Sequence, residues 1–342
     1  MATFRTVYRL SILSMALLSA ACSPNRLIGN QVNHFSLQNV FPVVMKTDDI
    51  PMVCHANETN TPLLMSFAPF GVDVNMLLAF GYSGASACTA SEAHEKELWS
   101  MQAEKQGLIY MAQDARIAQQ LLNRDAGKRQ LKAYKHAAEY FKINYQYEIG
   151  EGKCPDIKDD NEQLLLIIGA TSGLQALKND IASGRLVDFD MGLPAKIGRA
   201  MSCLDNEKWW GEPKAIQAGL TVILPKDAED EAEGWKTLQD ATDIGLQTGV
   251  RLSHATYASI ANMKGREDYL RDSLKRFESI PIATLNSQYT LLNAMAELQV
   301  RHIANLYWMK YESHRAPTEN FSKFWDEQEK PSQALNQLLD DL

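Results

Sequence analysis

The sequence predicts an all-α protein built from stacked antiparallel helix hairpins. Three observations predict it. Apolar residues recur at three- and four-residue spacing over most of the 342 residues, which lines one face of a helix. Convincing stretches of apolar–polar alternation, the mark of half-buried strands, are absent. Glycine and proline break the helical stretches where the chain would return on itself. With 45% hydrophobic and 22% charged residues, the chain has ordinary globular composition.

Residues 1–21 read as an export leader. Arg5 and Arg9 give a basic start, and "LSILSMALLSAA" is an apolar stretch too short to span a bilayer. Cys22 stands where cleavage would fall in "LLSAAC", as in a bacterial lipobox, with Ser19 where Leu is usual. The expectation is acylation of Cys22 and a lipid anchor on the periplasmic face of a bacterial membrane. Ser23 in the next position favours the outer membrane. No other apolar run is long enough to cross a bilayer.

Residues 22–47 read as a linker, 48–315 as the helical domain and 316–342 as a C-terminal tail. Asp48 or Asp49 is placed to cap the first helix of the domain, and Pro69 and Gly71 break the pattern. From Val72 the returning helix carries Val74, Leu77, Leu78, Gly81, Gly84, Ala85 and Cys88, small enough to let a neighbour approach closely. "AGKRQLKAYKHAAEYFKIN" is amphipathic, with Leu131, Tyr134, Ala138 and Phe141 on one face. Its basic run, Lys128, Arg129, Lys132 and Lys135, reads as a solvated face.

"EIGEGKCPDIKDDN" is a loop, and helices are expected from Glu162 to Asp180 and from Pro194 to Leu204. "TLQDATDIGLQTGVRLSHATYASIANMKG" reads as one long helix stopped by Gly265, and "REDYLRDSLKRFESI" as its return. "IATLNSQYTLLNAMAELQVRHIANLYWMKYESH" reads as a long closing helix, on which Arg301 is expected to hydrogen-bond a loop. Hairpins of this length side by side resemble a tetratricopeptide-like solenoid, without a clean repeat signature.

Four cysteines follow Cys22, an even number that suits disulfides in an exported chain. With Phe70 as the turn, Cys54 lies 16 residues before it and Cys88 18 after, at one level of an antiparallel helix pair. That geometry favours Cys54–Cys88 with Cys154–Cys203 among the three pairings. No Cys-x-x-Cys occurs, so no metal is expected.

The stretch "LLLIIGATSGLQ", Leu164–Gln175, has the look of a strand entering a dinucleotide-binding turn. A dinucleotide fold needs βαβ units around it, and the third glycine position holds Gln175. Asp190, placed like a ribose-binding acid, falls in the connection "GRLVDFD", and no tyrosine has Lys four places later. The stretch therefore reads as a buried helix. "SEAHEKEL" supplies His94 and Glu95 without a zincin's second His, and no Gly-x-Ser-x-Gly occurs. No catalytic residues and no cofactor are expected. The whole chain carries −8; without the two leader arginines the remaining 321 residues carry −10, which argues against nucleic acid as a partner. Trp209 and Trp210, in "DNEKWWGEPKA", are the candidate partner or ligand contacts.

The order of segments resembles the T-component family of TRAP transporters. "DDIPMVCHANETNTPLLMSFAPFGVDVNMLLAFGYSGASACTASEAHEKEL" is similar to that family's first hairpin, and "GLQTGVRLSHATYASIANMKGREDYLRDSLKRF" to its penultimate one. "ELQVRHIANLYWMKY" is similar to its closing helix, with Arg301, Ala304 and Asn305 at recurring places. The similarity spans Asp48 to Tyr311 and is poorest from Asp205 to Gly234. It implies a non-enzymatic periplasmic lipoprotein with a tetratricopeptide-like body. It also implies pairing with the transporter's solute-binding protein, homo-oligomers, and an apolar or organic-acid ligand. An envelope scaffold without a transport role is the alternative, and a hydrolase or oxidoreductase is a third reading without a catalytic constellation.

Overall fold

The computed structural model describes residues 24–327, so the leader and Cys22 lie outside the described residues. Those residues form an all-α fold, with no strand among them. The helices are α1 (Pro24–Phe35), α2 (Ile50–Met65), α3 (Asn75–Lys105), α4 (Ile109–Tyr145), α5 (Asp160–Ala182) and α6 (Leu193–Met201). They continue with α7 (Glu212–Ile223), α8 (Ala228–Thr248), α9 (Leu252–Lys264), α10 (Glu267–Glu278) and α11 (Thr290–Glu312). None is long and apolar enough to cross a membrane.

The chain divides into two compact units, where a single domain over 48–315 was expected. The first comprises residues up to Ala90, Leu121–Leu204 and Gln288–Leu291; the second comprises Ser91–Gln120, Asp205–Ser287 and the chain from Leu292. In the first unit Asp49 caps α2, its carboxylate accepting from the Met52 amide at 2.9 Å. The 3₁₀ turn Ala68–Phe70 and left-handed Gly71 separate α2 from α3. The glycines of α3 let α2 approach: a Cβ at Gly81 would meet Thr61 Oγ1 at 2.5 Å. In α5, Leu165, Leu166 and Ile167 are fully buried, and Gly169 meets Ala137 of α4. The stretch Leu164–Gln175 is a buried helix, as its periodicity predicts.

In the second unit α7 packs on α8, α9 packs on α7 and α8, and α10 packs on α9. This is the contact pattern of two successive tetratricopeptide-like hairpins. Their core gathers Trp235, Leu238, Tyr257, Leu274 and Phe277 with Val300, Ile303 and Trp308 of α11.

Several boundaries differ from expectation. The supposed linker is helical from Pro24, running through a π turn (Ser36–Val40) to Val44, because Gly29 lets α1 pack on Phe67 and Val72. The long helix expected across 237–265 breaks at left-handed Gly249, where a Cβ would meet Thr284 O at 2.4 Å. A turn at left-handed Gly107 divides α3 from α4, and α7 occupies the stretch that had no assignment. The closing helix starts at Thr290 after two 3₁₀ turns. The supposed tail is part of the core as far as Glu327: Phe321 and Phe324 are buried, and Trp308 Nε1 donates to Phe321 O at 2.8 Å. Arg301 donates to Pro317 O at 3.2 Å, and Asn305 Oδ1 accepts from the Ala316 amide, so these two residues hold that segment.

Candidate functional site

Both disulfides are present as expected. Cys54–Cys88 joins α2 to α3 with Cα atoms 6.0 Å apart. Cys154–Cys203 ties the loop before α5 to the end of α6, at 5.3 Å. The same loop is held by Arg199, whose Nε donates to Gly150 O at 2.7 Å. Cys54, His55 and Cys88 are the one group of three potential metal ligands gathered among the described residues. The two sulfurs are bonded to each other, and His55 Nδ1 pairs with Glu58 at 3.2 Å, so the group does not fit a metal.

Trp209 and Trp210 are corrected as contact residues. Their exposures are 2% and 3%, and the rings meet edge to face with centroids 5.1 Å apart. The cause is local backbone. Trp210 (φ +58°) and Gly211 (φ +75°) are consecutive left-handed residues that turn the chain sharply and carry both rings inward. Gly211 cannot carry a Cβ, which would lie 2.3 Å from Ala241 O.

Two strongly exposed aromatics lie at the α3–α4 turn, within the second unit. Tyr110 is 87% exposed and Trp99 52%, and Leu108, Ile109 and Met111 beside them are exposed too. Trp99, Tyr110 and Met111 line a shallow pocket of about 350 Å³ with Lys96, Asp114 and Ala115. The turn is built firmly. Leu108 N donates to Ala103 O and Ser100 Oγ to Ala112 O, both at 2.9 Å. Lys96 sits over the Trp99 ring at 5.2 Å. An apolar cluster on a fixed hairpin tip can bury aromatic area against another surface at small ordering cost. Sequence reasoning missed it, although "GLIYM" carries the signal: four apolar residues follow a helix-stopping glycine where polar turn residues are usual.

Charged groups near this tip have structural partners. The His94 and His302 rings stack at 3.6 Å, with His302 Nε2 3.0 Å from Glu97. Glu95 receives both Arg315 terminal nitrogens, at 2.8 and 2.6 Å, which holds its carboxyl below the usual range. Of the basic run on α4, Lys128, Lys132 and Lys135 are exposed as expected. Arg129 is half-buried instead, because it pairs with Glu58 at 2.6 Å and donates to Ala85 O and Thr89. Two buried groups elsewhere in the second unit are strongly perturbed. Burial pushes the Glu212 carboxyl up to about 8 against the opposing hydrogen bond from Thr256. Burial, with Arg276 and Arg251 nearby, pushes the His254 imidazole down to about 3.

No family model, curated protein or solved structure gives a significant match to the chain.

Proposed function

We propose that this chain is a non-enzymatic, lipid-anchored envelope protein accessory to a TRAP-type transporter. In this reading it binds the transporter's periplasmic solute-binding protein through the α3–α4 tip. The observation that carries the reading is the fixed, solvent-facing cluster of Trp99, Leu108, Ile109, Tyr110 and Met111. The order of segments from Asp48 to Tyr311 supplies the identity of the partner. Two disulfides agree with export, because such bonds persist in oxidising compartments. Interfaces of this kind concentrate their affinity in a few aromatic anchors, and Trp99 and Tyr110 are the anchors here.

Photo-crosslinking from position 110 in intact cells tests this. The expected product is a covalent adduct with a solute-binding protein, absent when the probe sits at Met263, an exposed site on α9. Adducts with envelope proteins unconnected to transport would favour the scaffold reading and overturn this one.

A further inference from the structure

The first helix is turned the wrong way round for a soluble protein. Its small and polar side faces inward: Gly29 is buried against Phe67 and Val72, and Asn33 Oδ1 is buried as well. Its apolar side faces out, with Leu27 62%, Ile28 54% and Phe35 58% exposed. Leu27 and Ile28 are neighbours and Phe35 lies two turns further along the same helical face, with Gln31 between them. The exposed apolar series continues beyond the helix through Val40 and Val43. Gly29 fixes this orientation, since a Cβ there would meet Val72 Cγ2 at 2.7 Å and Phe67 Cδ1 at 2.9 Å.

Charge singles out the same segment. Residues 24–47 carry Arg26, Lys46 and His34 and no acid, although the whole chain has a net charge of −8. Pro24 follows Cys22 by two residues, so any acyl chain on Cys22 would place α1 at the lipid surface.

We propose that the outward face of α1 lies in the interfacial layer of an anionic phospholipid bilayer, as a second membrane contact beside the anchor. Leu27, Ile28 and Phe35 enter the acyl boundary, and the exposed Lys46 at the end of the segment meets the headgroups. The inference rests on the reading of Cys22 as the anchor only for where the helix is delivered.

The test uses the full-length protein reconstituted in vesicles of phosphatidylethanolamine and phosphatidylglycerol, with a nitroxide attached through Gln31→Cys or, as a control, Met263→Cys. Fatty acid on the same preparation is measured by mass spectrometry. The expected result is that vesicles raise oxygen collisions and lower nickel-chelate collisions at position 31 several-fold, with position 263 unchanged. Adding Leu27→Ser and Phe35→Ser should return position 31 to its water-exposed behaviour. Acylated protein whose position 31 stays open to the nickel chelate would overturn the proposal while leaving the anchor intact. A lipid-immersed label without fatty acid would uphold it and discard the anchor. Shielding from both reagents would mean a protein partner, such as a second copy, and would also overturn it.

Discussion

Lys105 reaches across to the end of α11 and donates from Nζ to the main-chain oxygen of Lys310 at 2.9 Å. The same nitrogen lies 3.1 Å from Ser313 Oγ, where the chain leaves the helix in a left-handed turn. Lys105 is the last residue of α3, so a single side chain pins the base of the apolar tip. Lysine near a helix C-terminus also complements the dipole there.

Lys105→Met keeps most of the side-chain volume and removes the two hydrogen bonds. The expected cost in global stability is small, about 0.5–1 kcal/mol for an exposed site. Amide exchange across residues 106–112 should accelerate several-fold, and helical content by circular dichroism should hold. Unchanged exchange in that segment would show that the turn does not depend on the tether.

The two disulfides close sequence separations of 34 and 49 residues. Each should contribute about 2–4 kcal/mol by restricting the unfolded chain. Paired Cys54→Ser/Cys88→Ser and Cys154→Ser/Cys203→Ser variants should each lower the urea midpoint by a corresponding amount. Peptide mapping without reductant should recover both linked pairs, and four freely alkylated thiols would contradict the pairing.

Glu212 and His254 set opposite pH limits. The folded Glu212 is raised to about 8 from 4.5, so its contribution is full below 4.5 and is lost as pH rises through 8. The folded His254 is lowered to about 3 from 6.5, so its contribution is full above 6.5 and is lost as pH falls through 3. Between 4.5 and 6.5 the two slopes cancel. Stability measured by urea titration should therefore fall between pH 6.5 and 8, and Glu212→Gln should flatten that limb. A limb of the same slope in the Gln variant would assign it to another group.

Trp209→Ala and Trp210→Ala should act on the fold. Each removes a buried indole and should cost about 3–5 kcal/mol by cavity formation. At temperatures where the variants remain folded, partner capture should match the parent chain. A loss of capture without a loss of stability would return these residues to the contact surface.

Helix type was legible wherever periodicity and burial agree. Leu164–Gln175 reads as a buried helix from its small and apolar spacing, and it is one. The pairing of Cys54 with Cys88 followed from counting residues either side of the Pro69–Gly71 break. The break at Gly249 stayed hidden because each side reads as helix by itself, although the buried positions change phase there: Leu238, Ala241 and Thr242 share one face, and Tyr257, Ala258 and Ala261 would fall on the opposite side of a continuous helix. The glycine is required by the backbone of Thr284–Asn286, distant in sequence. Exposure of the tryptophans was equally hidden: a left-handed Trp210 has no sequence signature, and the neighbouring Gly211 alone did not reveal which way the rings would turn. The α3–α4 tip was hidden because apolar residues follow Gly107 directly and resume a helix within two residues, leaving no polar turn to mark the return.

The most direct measurement is the affinity of purified protein for the proposed partner, a TRAP-type solute-binding protein, compared with a Trp99→Ser/Tyr110→Ser variant. Losing two aromatic anchors should weaken Kd by about a hundredfold or more. Because both side chains face solvent, the melting temperature should stay within a degree or two of the parent chain's. No binding by the parent protein, or equal binding by the variant, would contradict the assignment of the tip as the docking surface.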